Sequence, residues 1–142
     1  MFSVNVTVKA VGLSDYINGR IEKIQAELAY RIVDEAQQLI DDSIPTGRLY
    51  RRGSFNRRHS RGFGQRASGP GRRFHRASAP GQPPAKDTGK TYQSITVRRM
   101  AKGKYRVRFG GAAGYLEFGT SRMRARPFII PAIEKAVRKT LG

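Results

Sequence analysis

The stretch Ser14 to Ser43, SDYINGRIEKIQAELAYRIVDEAQQLIDDS, decides the fold class of this chain. Ile17, Ile21, Ile24, Leu28, Ile32, Ala36 and Leu39 return every three or four residues, which draws one apolar stripe along a helix expected over roughly 14–43. Ser14 stands where an N-cap side chain can accept from the first free amides. Pro45 and Gly47 end the helix, because the residue before a proline avoids helical geometry. An amphipathic helix of this length needs an apolar surface to lie on, and the sequence on either side supplies one.

Ahead of the helix, Phe2, Val4, Val6 and Val8 alternate with polar residues, the period of a strand with one buried face. Further on, Ser94–Met100 and Lys104–Phe109 are rich in Val, Ile, Thr, Tyr and Phe and are joined by Ala101-Lys102-Gly103, which reads as a hairpin. Gly110, Gly111 and Gly114 break that pattern, and Tyr115–Phe118 is expected to return as a further strand. Pro131 suits the first position of a last helix whose Ile133, Val137 and Leu141 share a face. The expected class is α+β: a long N-terminal helix on a small antiparallel sheet, then a C-terminal helix. Burying the helix stripe contributes about 1.5–3 kcal/mol per large side chain before entropy is subtracted.

The charge is distributed unevenly over the 142 residues, which carry 28 Lys and Arg against 10 Asp and Glu, a net charge of +18. Residues 46–85 hold no acid and ten arginines: Arg48, Arg51, Arg52, Arg57, Arg58, Arg61, Arg66, Arg72, Arg73 and Arg76. That segment therefore carries +10 of the total. It is also rich in Gly, Ser and Pro, a composition that does not bury enough apolar surface to offset the entropy of ordering. The whole of 46–85 is accordingly expected to be a long mobile arm inserted into one domain, 1–142. Tyr50, Phe55, Phe63 and Phe74 interrupt the arginines, and such rings stack on bases or on other proteins. Both an acidic protein surface and a nucleic acid suit the arm, since the guanidinium fork matches carboxylate and phosphate alike.

Several chemistries find no material. There is no Cys, so disulfides, thiolate metal sites and cysteine nucleophiles are excluded. His59 and His75 lie among arginines, an environment hostile to a metal cation, and are expected to be solvated loop side chains. Gly89-Lys90-Thr91 has the closing letters of a P-loop, but Pro84 stands where the first glycine belongs, and prolines lack the amides that cradle phosphate. Gly62-Phe63-Gly64-Gln65-Arg66-Ala67 matches a dinucleotide fingerprint in letters only, with neither the preceding strand nor the later acid. Asp34, Glu35, Asp41 and Asp42 fall within or at the end of the helix, and Asp87 before Thr88-Gly89 reads as a turn residue. The expectation is a protein without catalytic, cofactor-binding or metal-binding residues. Apolar runs are too short to span a bilayer, and Met1–Leu13 does not read as a signal peptide.

Two longer patterns remain. Ala77-Ser78-Ala79-Pro80-Gly81-Gln82-Pro83-Pro84-Ala85 is followed by Asp87-Thr88-Gly89-Lys90-Thr91-Tyr92-Gln93-Ser94-Ile95. Later come Tyr115-Leu116-Glu117-Phe118-Gly119-Thr120, a short basic spacer, and Arg126-Pro127-Phe128-Ile129-Ile130-Pro131-Ala132. In this order they resemble the tail-completion, or head–tail joining, family of long-tailed bacteriophages, and with the preceding helix and basic stretch the resemblance covers nearly the whole chain. It implies a structural virion protein, made in the host cytoplasm, that forms a ring of six copies at the neck. Its implied partners are the head connector or adaptor and the tail tube or tail terminator, with non-specific contact to genomic DNA in the channel. It implies no enzyme activity and no membrane association. By position, Asp87, Thr88 and Gly89 would shape the turn into the hairpin, while Glu117, Gly119 and Thr120 would close the sheet and direct the loop to the last helix. Gly119 can also serve only through a positive backbone angle and Phe128 only as core. Glu117 would be free to pair with Arg122, Arg124 or Arg126 of a neighbouring subunit, worth about 0–1 kcal/mol if exposed. The alternative is a nucleic-acid-binding protein that works through the arginine arm.

Overall fold

The computed structural model describes residues 2–7, 15–51 and 74–142. The elements are β1 (Phe2–Val6), α1 (Asp15–Asp41), β2 (Leu49–Arg51), β3 (Phe74–Arg76), α2 (Lys90–Gln93), β4 (Ile95–Ala101), β5 (Lys104–Phe109), α3 (Ala113–Phe118) and α4 (Ile129–Leu141). The class is α+β, with the long helix, the small antiparallel sheet and the C-terminal helix expected from the pattern.

β5 lies between β1 and β4, antiparallel to both. Phe2 is opposite Phe109 and Val6 opposite Tyr105 on one side, while Ile95 pairs with Phe109 and Val97 with Val107 on the other. A register shift between Arg99 and Ala101 ends the β4 ladder irregularly. This register puts Phe2, Val4, Val6, Ile95, Val97, Tyr105, Val107 and Phe109 on one face, which α1 covers while α4 packs against α1. Phe109 meets Phe128 edge-on at 6.1 Å, and Phe2 packs against Phe109 and Phe118 at 6.3 and 6.0 Å.

α1 follows the expected stripe in its centre, where Leu28, Ile32 and Ala36 are buried. Ile21, Ile24 and Leu39 are half-buried and Ile17 is exposed, while Ala29 and Ile40 join the core. Small side chains at Ala29, Ala36, Ala132 and Ala136, none of them exposed, serve the packing of α1 with α4. Polar contacts add to it, with Arg31 Nη1 donating to Lys139 O at 2.9 Å and Lys139 reaching the buried Glu35 carboxylate.

Three expectations are corrected. Tyr115–Phe118 is not a strand but the end of helix α3. Both edges of β5 are already taken by β1 and β4, so the chain leaving β5 has no vacant edge there, and Ala113 and Glu117 bury at helical spacing instead. The last helix begins at Ile129, not at Pro131. Pro131 still falls in the first turn, where a missing N–H leaves no intrahelical bond unmade. The core face of that helix is Ile129, Ala132 and Ala136, while Ile133 and Val137 are half-buried and Leu141 is exposed.

The third correction concerns the arm. Its two described flanks are ordered against the frame and against each other, since β2 and β3 pair through Leu49–Arg76, Tyr50–His75 and Arg51–Phe74. Below them Gly47 N donates to Ala77 O at 2.7 Å and Ala77 N to Arg48 O at 3.1 Å. Gly81 N donates to Ala125 O at 2.9 Å, Ser43 Oγ donates to Pro83 O, and Ala77, Ser78 and Pro84 are buried. Composition misled here because Ala, Ser and Pro are small enough to pack flat, and proline carries no amide that needs a partner. Residues 52–73 of the expected arm lie outside the described residues, as do Val8 and Ser14.

Candidate functional site

The signature segments come together at the start of α4. That helix has Phe128 at its N-cap position and no capping side chain of its own, so its first amides need an acceptor from elsewhere. Glu117, eleven residues upstream on α3, provides it: Oε2 accepts from Phe128 N and Ile129 N, both at 2.8 Å, and Oε1 accepts from Ile130 N at 3.0 Å. The carboxylate is buried and sits at the positive end of the helix dipole. Glu117 is therefore not available to pair with a neighbouring subunit's arginines. It is turned inward, and its neighbours Tyr115 and Phe118 are turned out, 65% and 64% exposed.

The turn between α3 and α4 depends on Gly119, whose φ of 75° and ψ of −177° belong to a region that glycine alone enters readily. A Cβ there would lie 2.8 Å from both Ala125 N and Met123 O. Thr120 and Met123 bond each other across the turn, Thr120 Oγ1 accepts from Arg122 N at 3.2 Å, and Arg126 N donates to Leu116 O. Arg122 and Arg124 are exposed, whereas Arg126 is buried and donates from Nε to Ser78 O at 3.1 Å. That bond fastens the loop before α4 to the base of the arm. Pro127 is half-buried and Phe128 fully buried.

Asp87, Thr88 and Gly89 form a bend, with Gly89 at φ 76°, that leads into the short α2 and only then into β4. Ser94 Oγ closes this entry by donating within hydrogen-bond reach of Thr91 O (2.7 Å) and Gly110 O (3.0 Å). His75 is half-buried and its Nδ1 lies 3.4 Å from Asp87 Oδ1, so this histidine is held by a carboxylate and is not a freely solvated ring. Lys86 Nζ donates to Asp41 Oδ1 at 2.8 Å and lies 4.0 Å from the centre of the Tyr92 ring. The hydrogen bond to Asp41 raises the Lys86 pKa above the usual lysine range. The sign follows: on the lysine's side this contact is fully present at neutral pH and is lost as pH climbs through the raised value.

Between the arm's base and this turn lies a cavity of about 260 Å³, lined among others by Tyr50, His75, Asp87, Leu116, Met123 and Arg126. Ser78 Oγ is buried there with no hydrogen-bond partner among the described residues. Of the ten arm arginines, Arg48 is exposed with its guanidinium 5.7 Å from the Tyr50 ring centre, and Arg76 is exposed with Nη1 3.4 Å from Gly47 O. Arg51 lies in β2, and Arg52, Arg57, Arg58, Arg61, Arg66, Arg72 and Arg73 fall outside the described residues, as does His59. Among the described residues no group of three or more His, Cys, Asp or Glu is placed to hold a metal ion, and no helix is long and apolar enough to cross a membrane.

The sequence marked Gly47 only as a helix stop and Ser78 only as part of a longer pattern, and gave no sign that the two meet. A Cβ on Gly47 would lie 2.2 Å from Ser78 O and 3.0 Å from Ala77 O, both backbone atoms that cannot swing aside. Gly47→Ala is expected to open the base of the arm by about 1–3 kcal/mol. Amide hydrogen exchange at Gly47 and Ala77 then speeds up about tenfold or more while the centre of α1 is unaffected; unchanged protection at Ala77 would contradict this. No protein-family model, curated protein or solved structure matches the chain.

Proposed function

We propose that this chain is a structural subunit of a long-tailed bacteriophage virion, a tail-completion or head–tail joining protein acting in a ring at the neck. One observation carries the reading. The two signature segments, Tyr115–Thr120 and Arg126–Ala132, act as one device, because the glutamate of the first receives the backbone amides of the second. Together the two segments build a single corner between α3 and α4. The corner leaves Tyr115 and Phe118 at the surface as apolar contact points, while the arm leaves the frame from a paired base close by.

In this role the protein works by contact alone. Closed rotational symmetry repeats every subunit contact, so modest interfaces add up to a stable joint. The arginine arm reaches acidic surfaces of the connector or tail tube, where guanidinium–carboxylate pairs are geometrically well matched.

The test is a phage carrying a disrupted copy of the gene, inspected by electron microscopy. Filled heads and finished tails that fail to join, or heads that leak DNA, are expected. Intact, infectious particles lacking the protein would overturn the assignment, and so would turnover of a substrate by the purified chain.

A further inference from the structure

One face of the three-stranded sheet is left uncovered among the described residues, and it is strongly basic. Strands β1, β4 and β5 contain no acidic residue and five basic ones, while six of the ten acids lie in α1 on the covered side. Alternation places Arg106, Arg108 and Lys104 of β5 on the uncovered face, because Tyr105, Val107 and Phe109 point to the core. The register sets Arg98 beside Arg106 and Thr96 beside Arg108, with Asn5 on the far side of Arg106. Asn5 Oδ1 accepts from Arg106 Nε at 3.1 Å, which holds that guanidinium against the sheet.

From this arrangement we infer that the solvent face of the β1-β5-β4 sheet binds the phosphate backbone of duplex DNA without reading its sequence. Two features select this partner. Among the described residues the face carries no aromatic ring, so it has no platform for stacking unpaired bases, and it lacks the buried aromatic anchor that dominates most protein interfaces. Its cations also have a fitting repeat: Arg106 and Arg108 stand about 6.8 Å apart along the strand, which matches about two phosphates of axial rise on one DNA strand. Antiparallel pairing makes the platform rigid, and small polar side chains between the arginines add neutral donors. The inference rests on charge and register alone and does not require the neck assignment.

The test is fluorescence anisotropy of the full chain on a duplex of about 30 base pairs between 50 and 200 mM salt, compared with R98Q/R106Q/R108Q. Loss of three phosphate contacts makes the slope of log K against log salt shallower by about 2.7, so the wild-type chain loses roughly 40-fold more affinity than the variant over that range. R98K/R106K/R108K keeps the slope. Should the triple glutamine variant melt early, Arg98→Gln alone, on the exposed edge strand, is expected to shift the slope by about 0.9. An unchanged slope in the glutamine variants overturns the inference, because the arm then holds the DNA by itself. So does a lysine variant that loses as much as the glutamine one. Polyglutamate binding as tight as duplex binding, with the same dependence on these arginines, would assign the face to an acidic protein. Loss of self-association with DNA binding intact would assign it to a second copy of the chain.

Discussion

Glu117→Ala is expected to lower the free energy of unfolding by about 3–5 kcal/mol. Three backbone donors at the start of α4 lose a charged acceptor at once, and Phe128 and Ile129 are too deeply buried for water to replace it readily. For a chain of this size the loss corresponds to a fall in melting temperature of roughly 10–20 °C. Glu117→Gln keeps the shape and one acceptor oxygen, so it is expected to lose about half as much. Thermal melting followed by circular dichroism checks both. An alanine variant within about 1 kcal/mol of the parent would show that α4 does not depend on this carboxylate. Because the corner carries the functional proposal, the same variant should also fail to enter particles.

The second large effect is expected at Gly119. Alanine there has to adopt a backbone conformation almost closed to it, and its Cβ meets backbone atoms of Met123 and Ala125 at 2.8 Å. Neither neighbour is a flexible side-chain tip, so relief requires moving the whole turn between α3 and α4. The expected loss is about 2–4 kcal/mol, read as a lower urea midpoint with an unchanged m-value. Hydrogen exchange at the Arg126 amide, which bonds Leu116 O, should accelerate with it. A midpoint equal to the parent's would mean the turn relaxes freely and that the glycine is not needed for its geometry.

These two residues show how far local pattern carries. The Glu-Phe-Gly-Thr run was visible as a motif, and a positive angle at the glycine was among the readings. The partner of the glutamate was not, because α4 lacks a capping residue in its own sequence and borrows one across a turn. Tyr115–Phe118 misled for a related reason: four residues of mixed apolar character fit a strand or a helix equally, and the burial of Ala113 and Glu117 at helical spacing decides between them. His75 was likewise read from its arginine-rich neighbours in sequence, whereas the chain brings Asp87 to within 3.4 Å of it.

The base of the arm teaches the opposite lesson about composition. A Gly-, Ser- and Pro-rich segment was expected to stay loose throughout, yet Ala77, Ser78 and Pro84 are buried, and backbone bonds tie Gly47 to Ala77 and Gly81 to Ala125. Small residues bury little area each, but they let backbones approach closely enough to bond directly. The arginines then serve different ends by position: Arg126 fastens the arm's base from within, while Arg98 faces outward on an edge strand.

What the amino-acid order determined by itself was the set of local elements, namely the long amphipathic helix, the alternating strands, the hairpin and the charge surplus of residues 46–85. Those follow from side-chain periodicity and backbone preference, which act between residues a few positions apart. Tertiary structure decided which carboxylate caps which helix, which strand face stays uncovered, and where glycine is indispensable. Each of those depends on atoms brought together from distant parts of the chain, where hydrogen-bond geometry and van der Waals contact act over a few ångströms and sequence separation counts for nothing.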